Sequence, residues 1–130
     1  MTSADADRPL ILAADDDGDI LALVSFRLGR AGYSVITAED GLEALALARE
    51  RKPDLLILDV RMPKMTGLEV VSSLREEEGL NGVPVLLLTA SVQDESVKRG
   101  FDAGANDYIK KPFSPEELAS RVQAILAGRS

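Results

Sequence analysis

Five short apolar runs alternate along this chain with five longer segments whose apolar residues recur every three or four positions. A continuous run bounded by turn residues reads as a strand buried on both faces, and the three-to-four spacing reads as a helix with one buried stripe. The run at 10–14 leads into a helical pattern over about 18–31, where Ile20, Val24 and Leu28 lie four apart and Gly32 is the stop. Residues 34–38 are less apolar, as expected of a sheet edge. Asp40 is predicted to cap the next helix, with Glu43 as its capping-box partner and Pro53 as its end. A second capping box, Thr66 with Glu69, follows the run at 55–58 and opens a helix to about Glu77. After a loop at 79–82 and the run at 83–88, a helix over about 94–103 carries Val97 and Phe101 on one side and stops at Gly104. Tyr108 and Ile109 make a short strand. Ser114, Pro115 and Glu117 then start a last helix with Leu118, Val122 and Ile125 inward, ending near Gly128.

Five strand–helix units in series imply a parallel sheet covered on both sides, with right-handed crossovers. A chain of 130 residues with 45% apolar positions fits one such α/β domain; only the first eight residues read as disordered, and residues 9–128 as the domain. The net charge of −7 disfavours nucleic acid as a direct partner. Neither cysteine nor histidine is present, which removes disulfides, thiolate chemistry, histidine triads and histidine-based zinc sites. No run approaches the roughly 18–20 apolar residues of a membrane span, and residues 1–9 do not resemble a signal peptide, so the expected location is cytoplasmic.

Candidate chemistry sits where four of the runs end. Asp15 and Asp16 follow the first run, Asp59 the third and Thr89 the fourth, while Lys111 lies just past the fifth. In an open parallel sheet these ends share one edge, the edge where ligands bind. Adjacent carboxylates repel, and a hard cation such as magnesium relieves that cost. Asp59 at the end of an apolar strand suits a carboxylate nucleophile that forms an aspartyl-phosphate. Thr89, Ala90 and Ser91 offer a hydroxyl and backbone N–H groups for phosphoryl oxygens, and Lys111 a mobile positive charge. Taken singly, each has a structural reading: helix caps for the acids and Thr89, a surface position for the lysine. A calcium loop fails because Gly18 falls early and Phe26 stands where a bidentate Glu is needed. A haloacid-dehalogenase-type phosphotransferase needs a second Asp two residues after the nucleophile, where Arg61 stands.

With these motifs, the chain resembles the CheY-like receiver domains of two-component response regulators over about residues 9–127. The resemblance rests on Ile-Leu-Ala-Ala-Asp-Asp-Asp at 11–17, Asp-Leu-Leu-Ile-Leu-Asp-Val-Arg-Met-Pro at 54–63, Leu-Leu-Leu-Thr-Ala at 86–90 and Gly-Ala-Asn-Asp-Tyr-Ile-Lys-Lys-Pro-Phe-Ser at 104–114. It implies a flavodoxin-like (βα)5 doubly wound parallel sheet with strand order 2-1-3-4-5. It implies a phosphoprotein of phosphorelay signal transduction, phosphorylated on Asp59 by a sensor histidine kinase or histidine phosphotransfer protein. Mg²⁺ would be held by Asp16, Asp59 and the backbone carbonyl of Arg61, with Asp15 acting through water. Thr89, the Ala90 N–H and Lys111 would hold the phosphoryl group, and the Lys111–Pro112 bond would be cis. Thr89 and Tyr108 would form the switch that reshapes the face of the fourth helix, fifth strand and fifth helix for an output domain or downstream protein. Such a domain is no enzyme beyond self-catalysed phosphotransfer and slow autodephosphorylation.

Some positions depart from the family pattern. Gly18 replaces a frequent acid and Asn106 a common Asp. Asp107, Glu117 and Arg121 fit the phosphorylation-dependent dimer of DNA-binding, OmpR-like members, while Gln93 and Val97 stand where those members often carry basic residues. The alternative is a degenerate receiver acting as an unphosphorylated docking module. Such domains usually lose the acid pair, the acceptor or the lysine, and all are present here.

Overall fold

The computed structural model describes residues 8–90 and 95–128. The elements alternate as β1 (Leu10–Ala14), α1 (Gly18–Arg30), β2 (Ser34–Ala38), α2 (Gly41–Arg51), β3 (Leu55–Asp59), α3 (Gly67–Arg75), β4 (Val85–Thr89), α4 (Glu95–Ala103), β5 (Asp107–Lys110) and α5 (Pro115–Ala127). All strands are parallel, in the order β2-β1-β3-β4-β5. The half-buried β2 is an edge, as its weaker apolar character predicts.

Successive side chains of a strand point to opposite faces, and this alternation divides the core in two. Leu12, Leu56, Leu58, Val85 and Leu87 pack on one face against Ala44, Ala48, Val70 and Leu74 of α2 and α3. Ile11, Leu55, Ile57, Leu86, Leu88 and Ile109 pack on the other against Val24 and Leu28 of α1 and Leu118 and Val122 of α5. β3 and β4 are buried along their whole length, which accounts for their unbroken apolar runs.

Local chemistry sets the element boundaries. Asp17 caps α1, its Oδ1 accepting from the Asp19 N–H at 2.9 Å. The Thr66–Glu69 capping box is complete. The one expected at α2 is only half formed: Asp40 accepts from the Glu43 N–H, but Glu43 reaches back to the Glu39 N–H at 2.8 Å. α3 stops at Arg75 rather than Glu77, because the next amides close short turns onto Ser73 and Leu74 before Gly79 takes a positive φ. β4 starts at Val85 rather than 83, since the Val83 amide turns back to Leu80 and Pro84 has no N–H to donate. In α1 the buried residue of the first turn is Leu21, with Ile20 half-buried beside it. Phe101 sits at the rim of its helix, 39% exposed, rather than in the core. The expected disorder of the first eight residues falls almost wholly on residues 1–7, outside the described residues, as does the expected helix start at Asp94.

Candidate functional site

Parallel strands align their carboxyl ends, so the residues just past β1, β3, β4 and β5 share one edge. Asp15 is fully buried and Asp59 is 8% exposed, while Asp16 is exposed. Oxygens of these three carboxylates lie within 4.8 Å of one another. Backbone contacts fix Asp15 and Asp59. The Asp15 amide donates to the Ala38 carbonyl at 3.1 Å. Asp15 Oδ1 accepts from the Asp17 N–H at 3.0 Å, and Asp59 Oδ1 from the Arg61 N–H at 3.2 Å. Thr89, 1% exposed, lies on β4 one residue past Leu88, the partner of Asp59 in register. The Lys111 amide bonds to the Thr89 carbonyl at 2.7 Å, which extends the β4–β5 ladder and aims the lysine at the same edge. Its Nζ lies 2.7 Å from Asp15 Oδ2 and 3.2 Å from Asp59 Oδ2. The Lys111–Pro112 bond is cis.

The family model of the response regulator receiver domain matches residues 11–123. The chain is a response regulator receiver domain. It is 47% identical over 116 residues to the alkaline phosphatase synthesis transcriptional regulatory protein PhoP of Bacillus subtilis, covering 89% of this chain and 48% of PhoP. The chain thus spans about half the length of that curated relative. It is similar to the chemotaxis response regulator CheY4 of Vibrio cholerae, with TM-score 0.87 and 41% identity over 91% of this chain and 98% of CheY4. It is also similar to the receiver domain of the sensor histidine kinase PA1611 of Pseudomonas aeruginosa, solved with a magnesium ion in its active-site cleft (TM-score 0.86, 28% identity, 92% of this chain and 98% of that one). Phosphorylation on an aspartate is typical of the family.

Charge is concentrated at the receiver's edge. Burial, with the nearby charge of Asp15, pushes the Asp59 carboxyl up to about 6, against the opposing pull of the Arg61 N–H and Lys111. Burial works against the Lys111 charge too, but its contacts with Asp15 and Asp59 prevail and hold its pKa above the ordinary lysine value. Asp15 Oδ2 is buried and, among the described residues, has no aligned hydrogen-bond donor. The Lys111 ammonium is near enough to pair with it but poorly directed for a hydrogen bond. Three converging carboxylates, one with such an oxygen, fit a hard divalent cation that takes oxygen ligands.

One consequence is a pH dependence. The fold holds a proton on Asp59 up to about pH 6, whereas an unfolded Asp releases it near 3.8. Ionised Asp59 therefore costs stability above about pH 6, and the cost disappears as pH falls towards 3.8. Asp40, held low by the Glu43 N–H, and Glu77, held low by its hydrogen bond from Arg49, act in the opposite sense. The measurement is therefore a difference: without added metal, the stability gap between wild type and Asp59→Asn in urea unfolding is expected to shrink as pH falls through this window. A constant gap would refute it.

The structure brings together Asp15, Asp16, Asp59, Thr89 and Lys111, with Arg61 two residues past β3 and Ala90 directly after β4. Ser91 and Gln93 lie outside the described residues. Tyr108 is half-buried on β5, and its ring meets Phe101 of α4 edge-on, 5.6 Å between centroids at 82°. Val97 is buried, so it belongs to the packing of α4 rather than to an exposed dimer face. Arg121 bonds within the chain, 3.0 Å from Asp107 and 3.7 Å from Glu117.

Two contributors were not apparent from the sequence pattern. Gly67 opens α3 so close to β3 that a Cβ there would overlap the Asp59 carbonyl, and its amide bonds to the Val60 carbonyl at 3.0 Å. Asn106 Oδ1 accepts from the Val85 N–H at 2.8 Å, tying the start of β4 to the approach to β5. A Gly just after a capping Thr was the only available signal for the first. The second appeared in the sequence only as a missing Asp.

Proposed function

We propose that this receiver, taken as residues 9–128, accepts a phosphoryl group on Asp59 from a sensor histidine kinase or histidine phosphotransfer protein in the cytoplasm. The observation that carries this reading is the convergence of Asp15, Asp59 and Lys111, each within reach of the next, at the end of a fully buried strand. A carboxylate oxygen of Asp59 attacks phosphorus, the P–N bond of the phosphohistidine breaks, and the imidazole leaves with the electron pair. Lys111 turns from its carboxylate partners to a phosphoryl oxygen, and Thr89 and the Ala90 N–H take others. Asp16, Asp59 and the Arg61 carbonyl would hold Mg²⁺, with Asp15 supporting it through water. When bound, the ion neutralises charge that builds on the phosphoryl oxygens. Beyond this self-catalysed transfer and slow hydrolysis the domain is a switch, not an enzyme. Incubation with acetyl phosphate and Mg²⁺ followed by peptide mapping tests the reading. The adduct is expected on Asp59; an adduct on Ser or Thr, or none, would overturn it.

Two further outcomes are expected. Asp16→Ala should weaken Mg²⁺ binding about tenfold or more, equivalent to about 1.4 kcal/mol; equal titration curves would remove Asp16 from the site. The output runs through the face of α4, β5 and α5, where Thr89 moves toward the phosphoryl group and Tyr108 answers. Partners there are an output domain, a downstream protein or a second phosphorylated copy. A ligand shifts such an equilibrium only through differential contacts with its two states. Thr89→Ala should therefore keep the adduct and lose the NMR shift changes that beryllofluoride causes on this face in wild type. Equal changes in both proteins would exclude Thr89 as the link.

A further inference from the structure

The two asparagines of this chain, Asn81 and Asn106, are both exposed but differ in their hydrogen bonds. Asn106 is held: its Oδ1 accepts from the Val85 N–H at 2.8 Å, its own amide donates to the Val85 carbonyl at 2.9 Å, and Asp107 follows it. Asn81 precedes Gly82 in the turn between α3 and β4, and both are exposed. A Cβ at Gly82 would meet no described atom within 4 Å. Among the described residues, neither the Asn81 side chain nor the Gly82 N–H has a hydrogen bond. Glycine has no side chain to hinder approach to its amide, and an exposed turn leaves its backbone dihedrals adaptable.

We propose that Asn81–Gly82 is a spontaneous modification site, where the Asn81 amide is lost and an isoaspartate forms against Arg75. The Gly82 nitrogen attacks the Asn81 Cγ, the new N–Cγ bond closes a cyclic imide, and the Cγ–NH₂ bond breaks. Ammonia leaves with the proton from the Gly82 N–H. Water then opens the imide. Cleavage at Cγ gives aspartate. Cleavage at the former main-chain carbonyl gives isoaspartate, in which the chain runs through the side chain and that carbonyl becomes a carboxylate.

The second product matters because of where that carbonyl lies. It accepts from Arg75 Nη1 at 3.2 Å. The same guanidinium donates to the Gly104 carbonyl from Nε at 3.1 Å and from Nη2 at 2.7 Å, bracing the turn between α4 and β5. Burial holds the Arg75 pKa below its ordinary value, and no carboxylate pairs with it among the described residues. Isoaspartate supplies this cation with a counter-ion on an atom it already touches, and a charge-assisted contact replaces a neutral one. The aspartate product places its charge on a side chain that Arg75 does not contact.

The whole chain is aged at mildly alkaline pH and digested with trypsin, which separates Asn81 and Asn106 on peptides 76–98 and 100–110. Asn81 is expected to convert at least about tenfold faster than Asn106, a barrier difference of about 1.4 kcal/mol. Gly82→Ala should slow the conversion, and Asn81→Gln should block it. Equal rates for the two asparagines, or conversion of Asn81 only when the chain is held unfolded in urea, would overturn the proposal. The Arg75 Nε–H NMR signal is expected to move in the isoaspartate fraction and to stay near wild type in Asn81→Asp. Equal positions in all three proteins would overturn the contact with Arg75.

Discussion

Asp59→Asn is expected to abolish the phosphoryl adduct that wild type forms with acetyl phosphate and Mg²⁺, and to unfold at a higher temperature than wild type when no metal is added. The two effects share one cause. The Asn oxygen can keep the bond from the Arg61 N–H, while the Lys111 contact, made to the other carboxylate oxygen, is lost. The substitution removes the buried negative charge that burial and Asp15 oppose. It also removes the nucleophile, since a neutral amide does not form an acyl phosphate. Lys111 keeps Asp15 as its partner at 2.7 Å, so this half-buried cation is not left unpaired. At this chain length about 1 kcal/mol corresponds to about 3–6 °C, so a gain of several degrees is expected. Mg²⁺ should raise the melting temperature of wild type and leave that of the variant nearly unchanged, because a ligand stabilises only the fold that binds it. Intact mass and thermal unfolding, each with and without Mg²⁺, provide the check. An adduct equal to wild type would move the acceptor elsewhere, and a lower melting temperature would show that ionised Asp59 stabilises the fold.

Gly67→Ala is expected to lower stability by about 1–3 kcal/mol, although alanine is the better helix former by about 1 kcal/mol. The added methyl group would overlap the Asp59 carbonyl and crowd Val60 Cα, both main-chain atoms that cannot move aside by changing a rotamer. α3 must back away from the end of β3 or β3 must shift, and either strains the Arg61 N–H bond to Asp59. Gly41→Ala should behave similarly, since its Cβ would strike the Met65 carbonyl. Gly18→Ala provides the control: it too opens a helix, but no described atom lies within 4 Å of its added Cβ. That variant should match or exceed wild type. Chemical unfolding of the three variants decides the matter, and a Gly67→Ala protein as stable as Gly18→Ala would discard the steric account.

Much of the fold was legible because its signals are local or periodic. The apolar runs of β3 and β4 announced strands covered on both faces, and Thr66 with Glu69, and Ser114 with Pro115, marked helix starts one turn long. The edge position of β2 showed in its weaker apolar character. The site residues were legible because parallel strands end on a common edge, so position along the chain stands in for position in space.

What the sequence by itself determined is therefore the order of the elements, the two-faced burial of the central strands and the set of charged groups delivered to one edge. Only the tertiary structure decided how those groups meet. Asp15 Oδ2 is buried without an aligned donor among the described residues, Lys111 bridges two carboxylates, and Asp59 is pushed up to about 6. Each of these depends on distances between separate strands and on exclusion of water, and neither is written in local spacing. The same holds for Phe101 against Tyr108, Arg75 on the Gly104 carbonyl and Gly67 beneath Asp59. These contacts join residues from different elements, and packing alone sets whether two such side chains, or a side chain and a backbone, come close enough to touch.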